Sequence, residues 1–248
     1  MGLHWNFASN TCSATAPPPS PEDYCFFTGG TWNWLTGSCV YGCVNNGGGQ
    51  LGGGFDLPGM ESPACNSPVL VDTAGDGFSL TDAAGGVRFD LNNDGLPQQL
   101  SWTAAGSDDS WLTLDRDGSG RIESGAEMFG NYTPQPDPPA GHHRNGFLAL
   151  AEYDGPEKGG DSDGMIDAGD AVYASLRLWR DENHDGISGP GELRGLPASG
   201  VGTISLDYRE SMRRDGHGNL FRFRAKVSGV GGARPGRWAY DVFLLSGR

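Results

Sequence analysis

The segment Asp181-Glu-Asn-His-Asp-Gly-Ile-Ser-Gly-Pro-Gly-Glu192 leaves its own backbone little choice. Counting from Asp181, oxygen-bearing side chains stand at positions 1, 3 and 5 (Asp181, Asn183, Asp185), and a glycine at 6 (Gly186) permits a sharp turn. Glu192 at 12 can close a ligand shell with both carboxylate oxygens, and Ile187 at 7 adds a backbone carbonyl. A hard divalent cation takes six to eight oxygens at about 2.3–2.6 Å, which one short loop provides only when alternate residues point inward. The spacing therefore predicts a calcium loop rather than a solvated acidic turn.

The same EF-hand grammar recurs upstream. Asp115-Arg-Asp-Gly-Ser-Gly-Arg-Ile-Glu123 carries Asp115, Asp117, Ser119 and Glu123 at positions 1, 3, 5 and 9, with the Arg121 carbonyl at 7 and a hydrophobic Ile122 at 8. Position 12 is Ala126 and Glu127 follows it, so the loop either holds a one-residue insertion or closes through Glu123 and water. In Asp161-Ser-Asp-Gly-Met-Ile-Asp-Ala-Gly-Asp170, counting back from Gly164 puts Asp161 at 3, Asp163 at 5, Met165 at 7, Asp167 at 9 and Asp170 at 12. Position 1 is then Gly159, and the preceding Asp154-Gly-Pro-Glu-Lys-Gly-Gly reads as an insertion that can return Asp154 or Glu157 to the metal. Asp90, Asn92 and Asp94 fill positions 1, 3 and 5 of a fourth loop, but Ser101 stands at 12 and hairpin-like strands flank it. An Asx-held turn explains that segment as well as a metal does. Asp72-Thr-Ala-Gly-Asp-Gly77 has no oxygen side chain at 3 and no acid at 12, and reads as a turn.

The charge balance fits ligand supply. With 31 Asp and Glu against 17 Lys and Arg the chain carries −14, most of the acids lying in these loops, and no basic stripe exists to displace phosphate counterions. Nucleic acid is excluded as a partner on that ground. No run of eighteen or more apolar residues is present, which excludes a membrane-spanning helix.

Residues 1–67 differ from the rest and predict a separate arm ahead of a 68–248 domain. They hold all five cysteines, a glycine tract at 47–54 and Pro17-Pro-Pro-Ser-Pro21. Trp5-Asn6 with Cys12 and Trp32-Asn33 with Cys39 form a short internal repeat. A Cys25–Cys39 disulfide would close a small aromatic-centred loop with too little core to fold unaided, and by the same logic Cys12 needs a partner upstream. The cysteines lack zinc-site spacing. Disulfide-type spacing together with weak calcium loops predicts an extracellular setting, where millimolar calcium fills them. The odd cysteine count, with no leader-like start, reads as numbering that begins inside a longer precursor.

Downstream of Ser67, β-rich or alternating stretches occur at 69–71, 87–89, 98–103, 111–114, 176–179, 203–208, 220–227 and 238–245. Helical patterns at 124–129, 147–153 and 168–176 each abut a loop. The expected fold class is thus α+β, an antiparallel β-rich domain with short helices flanking EF-hand-like calcium loops.

Several motifs in order carry a family likeness. Ser67-Pro-Val-Leu-Val-Asp with Asp76-Gly77, Phe89-Asp-Leu-Asn-Asn-Asp-Gly95, Leu114-Asp-Arg-Asp-Gly-Ser-Gly-Arg-Ile122 with Glu127-Met-Phe-Gly130, and Leu178-Trp-Arg-Asp-Glu-Asn-His-Asp-Gly-Ile187 with Gly191-Glu-Leu193 resemble the calcium-binding module of large secreted bacterial proteins. The likeness covers roughly residues 67–208. In RTX-type iron-regulated proteins a similar module is self-processing. The resemblance implies calcium-triggered cleavage of an Asp-Pro bond at the module's start, the aspartate attacking its own carbonyl. Ser67-Pro68 is the matching dipeptide here, and serine cannot form the cyclic anhydride. The sole Asp-Pro, Asp137-Pro138, lies in a proline-rich linker.

Other catalytic constellations are faint. His142-His143 beside Asp137 sit in a Pro/Gly loop and read as solvent-exposed, and no nucleophile elbow, phosphate loop or HExxH occurs. The sequence predicts no enzyme. It predicts a secreted calcium-binding structural protein, a homo-oligomer or homopolymer subunit whose arm docks on a neighbour, with a calcium-dependent adhesin or toxin-accessory module as the alternative.

Overall fold

The computed structural model describes residues 4–6, 11–13, 31–33, 38–40, 67–138, 144–233 and 236–247. The chain divides into two units, Met1–Ser62 and Pro63–Arg248. In the first, β1 (His4–Asn6) pairs antiparallel with β2 (Thr11–Ser13), and β3 (Thr31–Asn33) with β4 (Ser38–Val40). Trp5 lies opposite Cys12 and Trp32 opposite Cys39, so the sequence repeat is a repeated hairpin with one register. Cys25, at one end of the expected disulfide, the 47–54 glycine tract and His142-His143 lie outside the described residues.

The second unit is built on one antiparallel sheet. Its strands are β5 (Val69–Val71), β8 (Ser110–Thr113), β9 (Met165–Ile166), β10 (Arg177–Trp179), β11 (Leu193–Gly195), β12 (Thr203–Ser205), β13 (Arg209–Arg214), β14 (Leu220–Ser228) and β15 (Arg237–Phe243). They run in the order β11-β10-β8-β5-β15-β14-β12-β9, with β13 also on β14. A separate hairpin joins β6 (Val87–Phe89) to β7 (Gln98–Leu100).

Alternation along the strands sends side chains into two apolar layers, one on each face. Val69, Val71, Leu112, Leu178 and Ala239 enter a layer with Phe147, Leu150, Val172 and Leu176. Leu70, Trp111, Trp179, Tyr240 and Val242 enter the other, with Val87, Phe89, Trp102, Ile122 and Met128. Both faces being covered, β5 and β8 are buried at every residue.

The expected α+β class is overturned, since the fold is mostly antiparallel sheet. Among the described residues one α-helix occurs, α1 (Gly146–Ala151), six residues capped by Asn145, whose Oδ1 accepts from the N–H groups of Phe147 and Leu148 at 3.0 Å each. The 168–176 pattern yields just a 3-10 turn at Ala171–Ala174. The 124–129 pattern forms no helix, because its backbone bonds elsewhere: Leu114 N–H donates to Glu127 O, Phe129 N–H to Leu112 O and Gly125 N–H to Asp90 O. Segments this short cannot cover the cost of helix nucleation once non-local partners compete for their amides. No helix among the described residues is long and apolar enough to cross a membrane.

Candidate metal centre

Five aspartate-led loops share one backbone conformation. Their first residues are Asp72, Asp90, Asp115, Asp154 and Asp181, and in each the carboxylate accepts the N–H of the glycine that makes the turn: Gly77, Gly95, Gly120, Gly164 and Gly186. That glycine has φ between +70° and +110° throughout. Two residues earlier the chain is left-handed as well, at Gly75, Asn93, Gly118, Ser162 and His184. Asn93, Ser162 and His184 are the only non-glycine residues with positive φ among those described, so the strained backbone is confined to one position of one motif. His184 is held there by its ring, with Nδ1 2.8 Å from Thr103 O and Nε2 2.8 Å from Gly85 O.

Loop closure separates the strong candidates from the weak. In the 181–192 loop, Glu192 accepts from Glu182 N–H at 3.1 Å and Gly189 N–H at 2.8 Å, which are positions 2 and 9. In the loop opened by Asp115, Glu127 accepts from Arg116 N–H at 3.1 Å and Glu123 N–H at 2.9 Å, again positions 2 and 9. Glu127 therefore plays the part of a twelfth residue from the thirteenth place, and the extra residue is absorbed in the 124–126 turn. Glu123 instead accepts from Ser119 Oγ at 3.1 Å. In the third loop Asp154 takes position 1, its two oxygens accepting from Asp163 and Gly164 N–H at 3.1 Å each. The insertion loops out through the 3-10 turn Pro156–Lys158 and returns so tightly that a Cβ on Gly160 would lie 2.2 Å from Asp154 backbone. Asp170 accepts from Asp167 N–H at 2.8 Å.

Carboxylate oxygens converge accordingly. Asp115, Asp117 and Glu127 offer oxygens within 4.8 Å of one another, as do Asp154, Asp161 and Asp163. The 181–192 loop does not form such a triad, its third position being the amide of Asn183, whose Oδ1 and Nδ2 both bond to Asp185. Asp181 and Glu192 are nonetheless buried. Ile187 and Met165 expose their side chains, as residues contributing only a carbonyl would. Asp90, Asn92 and Asp94 hold the β6–β7 connection as an Asx turn with no closing acid, Ser101 being turned to Asn219 and Leu245.

Burial and mutual repulsion strain these acids. Burial pushes the carboxyl of Asp181 up and the Glu192 charge adds to it, against the N–H groups of Gly186 and Asp185. Asp170 is raised by burial and by Asp154, Asp161 and Asp167, and its Oδ1 is buried without a hydrogen bond. Glu127 is raised by burial and by Glu123, whereas half-buried Asp115 is lowered by the Gly120 N–H. A bound cation relieves this pattern, since opposite charge favours the ionised form.

Two of the loops touch. Ile122 N–H donates to Ser188 Oγ at 2.7 Å, and the Ser188 hydroxyl donates to Ile122 O at 3.3 Å, joining position 8 of one loop to position 8 of the other. The third loop's position 8, Ile166, pairs instead with Ile204 of β12. The 181–192 loop reaches the core through Trp102, whose Nε1–H donates to Asp181 Oδ2 at 2.9 Å while its ring packs 4.8 Å from that of Trp111.

Comparison with known proteins matches residues 69–244, the whole sheet and every loop just described, to the SPM domain. The chain belongs to the SPM domain family. This SPM domain is also similar to Iron-regulated protein FrpA of Neisseria meningitidis serogroup C, with 38% identity over 154 residues. The aligned stretch is 61% of this chain and 13% of that relative, so the chain spans a small part of its length. Ser67, two residues ahead of the SPM match, is buried and donates its N–H to Asn131 Oδ1 at 2.9 Å.

Sequence spacing located most of these converging carboxylates and missed others. Asp154 was one of two options for position 1, and the fold selects it over Glu157. Asp108 and Asp109, beside Asp72, were not legible, because nothing local in the sequence joins residues so far apart.

Proposed function

We propose that this SPM domain is a secreted, non-enzymatic calcium-binding module in which calcium locks three loops onto the sheet, and that the full chain is a subunit of a calcium-stabilised extracellular assembly. The observation that carries the calcium reading is the common closure of the loops: a carboxylate accepts positions 2 and 9 in the 181–192 and 115–127 loops, and a carboxylate stands at the first position of each. Calcium prefers such oxygen-only, flexible shells. Support for assembly comes from the first unit, where the same Trp-opposite-Cys hairpin occurs twice and offers two equivalent docking elements. The toxin-accessory reading draws on the aligned relative, most of whose length lies beyond the match.

Glu127→Gln keeps the shape of the loop but removes its closing charge. Isothermal titration is expected to show one calcium fewer per chain, with a loss of about 2.7 kcal/mol at ~1 mM calcium if the site binds near ~10⁻⁵ M. Glu123→Gln is expected to leave the stoichiometry intact. The reverse ranking would mean that this loop closes through Glu123.

Assembly is tested by sedimentation of the full chain with calcium and with chelator. Multimers that dissociate in EGTA are expected, and deletion of residues 1–66 is expected to leave a folded, calcium-binding monomer. A full chain that stays monomeric with calcium at high concentration would remove the polymer and leave the binding module.

A further inference from the structure

We propose that Asp72, Asp108 and Asp109 form an additional divalent-cation site, an incomplete loop whose closing carboxylates come from the turn that leads into β8. The choice of calcium as its cation rests on the reading of the other loops, but the site stands on separate residues. Their carboxylate oxygens lie within 4.8 Å of one another. Asp72 opens a loop of the shared conformation, its Oδ1 accepting from Gly75 N–H at 2.6 Å and its Oδ2 from Gly77 N–H at 3.0 Å. Taken alone, that loop lacks an oxygen side chain at position 3 and an acid at position 12.

Both gaps are filled from elsewhere. Asp108 Oδ2 accepts from Ala74 N–H at 2.6 Å and from Thr73 Oγ1 at 3.0 Å, which are positions 3 and 2 of the loop. Asp109 Oδ2 accepts from Ser79 N–H at 2.8 Å, at position 8, and from Ser107 Oγ at 2.7 Å. Two adjacent aspartates thus hold the amides of positions 3 and 8, next to the positions 2 and 9 that Glu192 holds alone in its loop.

Asp109 points to a missing partner. It is 1% exposed, and its Oδ1 is buried with no hydrogen bond. A buried carboxylate oxygen without a donor is costly, and an acid beside two further acids is more so. Burial pushes its carboxyl up to about 7, and the charges of Asp108 and Asp72 add to the rise. No Lys, Arg or His forms an ion pair with any of the three among the described residues. A divalent cation meets the need of all three acids at once and pins the end of β5 to the start of β8, two paired strands inside the sheet.

The test counts calcium on the full chain. Asp109→Asn, which preserves size and keeps an acceptor for Ser79, is expected to bind one calcium fewer than the parent and to leave the ions lost in Glu127→Gln and Glu192→Gln in place. Equal stoichiometry for Asp109→Asn and parent overturns the site while the loop reading stands. Loss in Asp109→Asn with no loss in either glutamate variant supports the site and removes the loop reading. Should Asp109→Asn fail to fold, anomalous scattering from calcium-soaked crystals of the unaltered chain decides. A peak among Asp72, Asp108 and Asp109 is expected, and peaks at the loops with none here overturn the proposal.

Discussion

Treated with EGTA, the sheet domain is expected to melt roughly 15–30 °C below its temperature in ~1 mM calcium. Three loops binding near ~10⁻⁵ M would each stabilise the fold by about 2.7 kcal/mol, together about 8 kcal/mol, and a domain of this size shifts by about 2–4 °C for each kcal/mol. At weaker extracellular affinities of ~10⁻³–10⁻⁴ M the three together contribute about 1–4 kcal/mol and the shift shrinks in proportion. The physical cause is carboxylate repulsion: Asp181, Glu127 and Asp170 are all raised by burial and by acidic neighbours, and removal of the cation returns that cost to the fold. Differential scanning calorimetry with and without chelator measures it. An unchanged melt would reject calcium as a structural ligand.

The second large effect is a pH dependence set by Asp241 in the middle of the sheet. Its side chain is fully buried, Oδ2 accepts from Gly146 N–H at 2.7 Å, and Oδ1 has no hydrogen bond. Burial pushes its carboxyl from 3.8 up to about 7, although the Gly146 N–H, the Ser67 side chain and the Arg222 charge pull it back. The folded state therefore holds this proton more tightly than the unfolded chain. Stability from this group is greatest below about pH 4, falls as pH rises towards about 7, and is flat above, a total of about 4 kcal/mol. Asp241→Asn retains an acceptor for Gly146 and cannot ionise. The stability gain of the variant over the parent, from urea melts in calcium, is expected to grow by up to about 4 kcal/mol across that range. Comparing the two chains at each pH cancels the opposing trend of the loop acids, which would release any bound calcium as they protonate. A gain that stays constant with pH would show that Asp241 gives up its proton in the folded protein over the same pH range as in the unfolded chain.

The parts of this fold that were legible in the sequence are those decided locally. Alternation in Val87-Arg-Phe89 and along 220–227 marked β6 and β14, and the Trp-to-Cys spacing at 5–12 and 32–39 corresponds to two hairpins. The helical pattern at 147–153 falls on α1, whose first turn Asn145 caps from within the same segment. The segment at 124–129 has a helical pattern but spends its amides and carbonyls on Asp90, Leu112 and Leu114, contacts that no local window contains. For the metal centre, spacing found the carboxylates of the 181–192 loop, but an insertion displaced Asp154 from its expected register. At Glu127 the register slipped by one place, and only the paired amides of Arg116 and Glu123 identify the residue that closes the loop. The approach of Asp108 and Asp109 to Asp72 was beyond reach for the same reason as the 124–129 contacts: it depends on the turn before β8.

The hydroxyl of Ser188 has a thermodynamic consequence for the two loops it joins. Because Ser188 both receives the Ile122 amide and returns its proton to the Ile122 carbonyl, ordering one loop fixes the central residue of the other. If the loops hold calcium as proposed, the entropy of arranging the second shell would largely be met when the first ion binds, and the later ion would enter a preorganised cage. By linkage the favour is mutual, and the pair fills over a narrower range of calcium concentration than two isolated loops would. Under the proposed calcium reading, the module is expected to respond to calcium as a threshold rather than as a gradient.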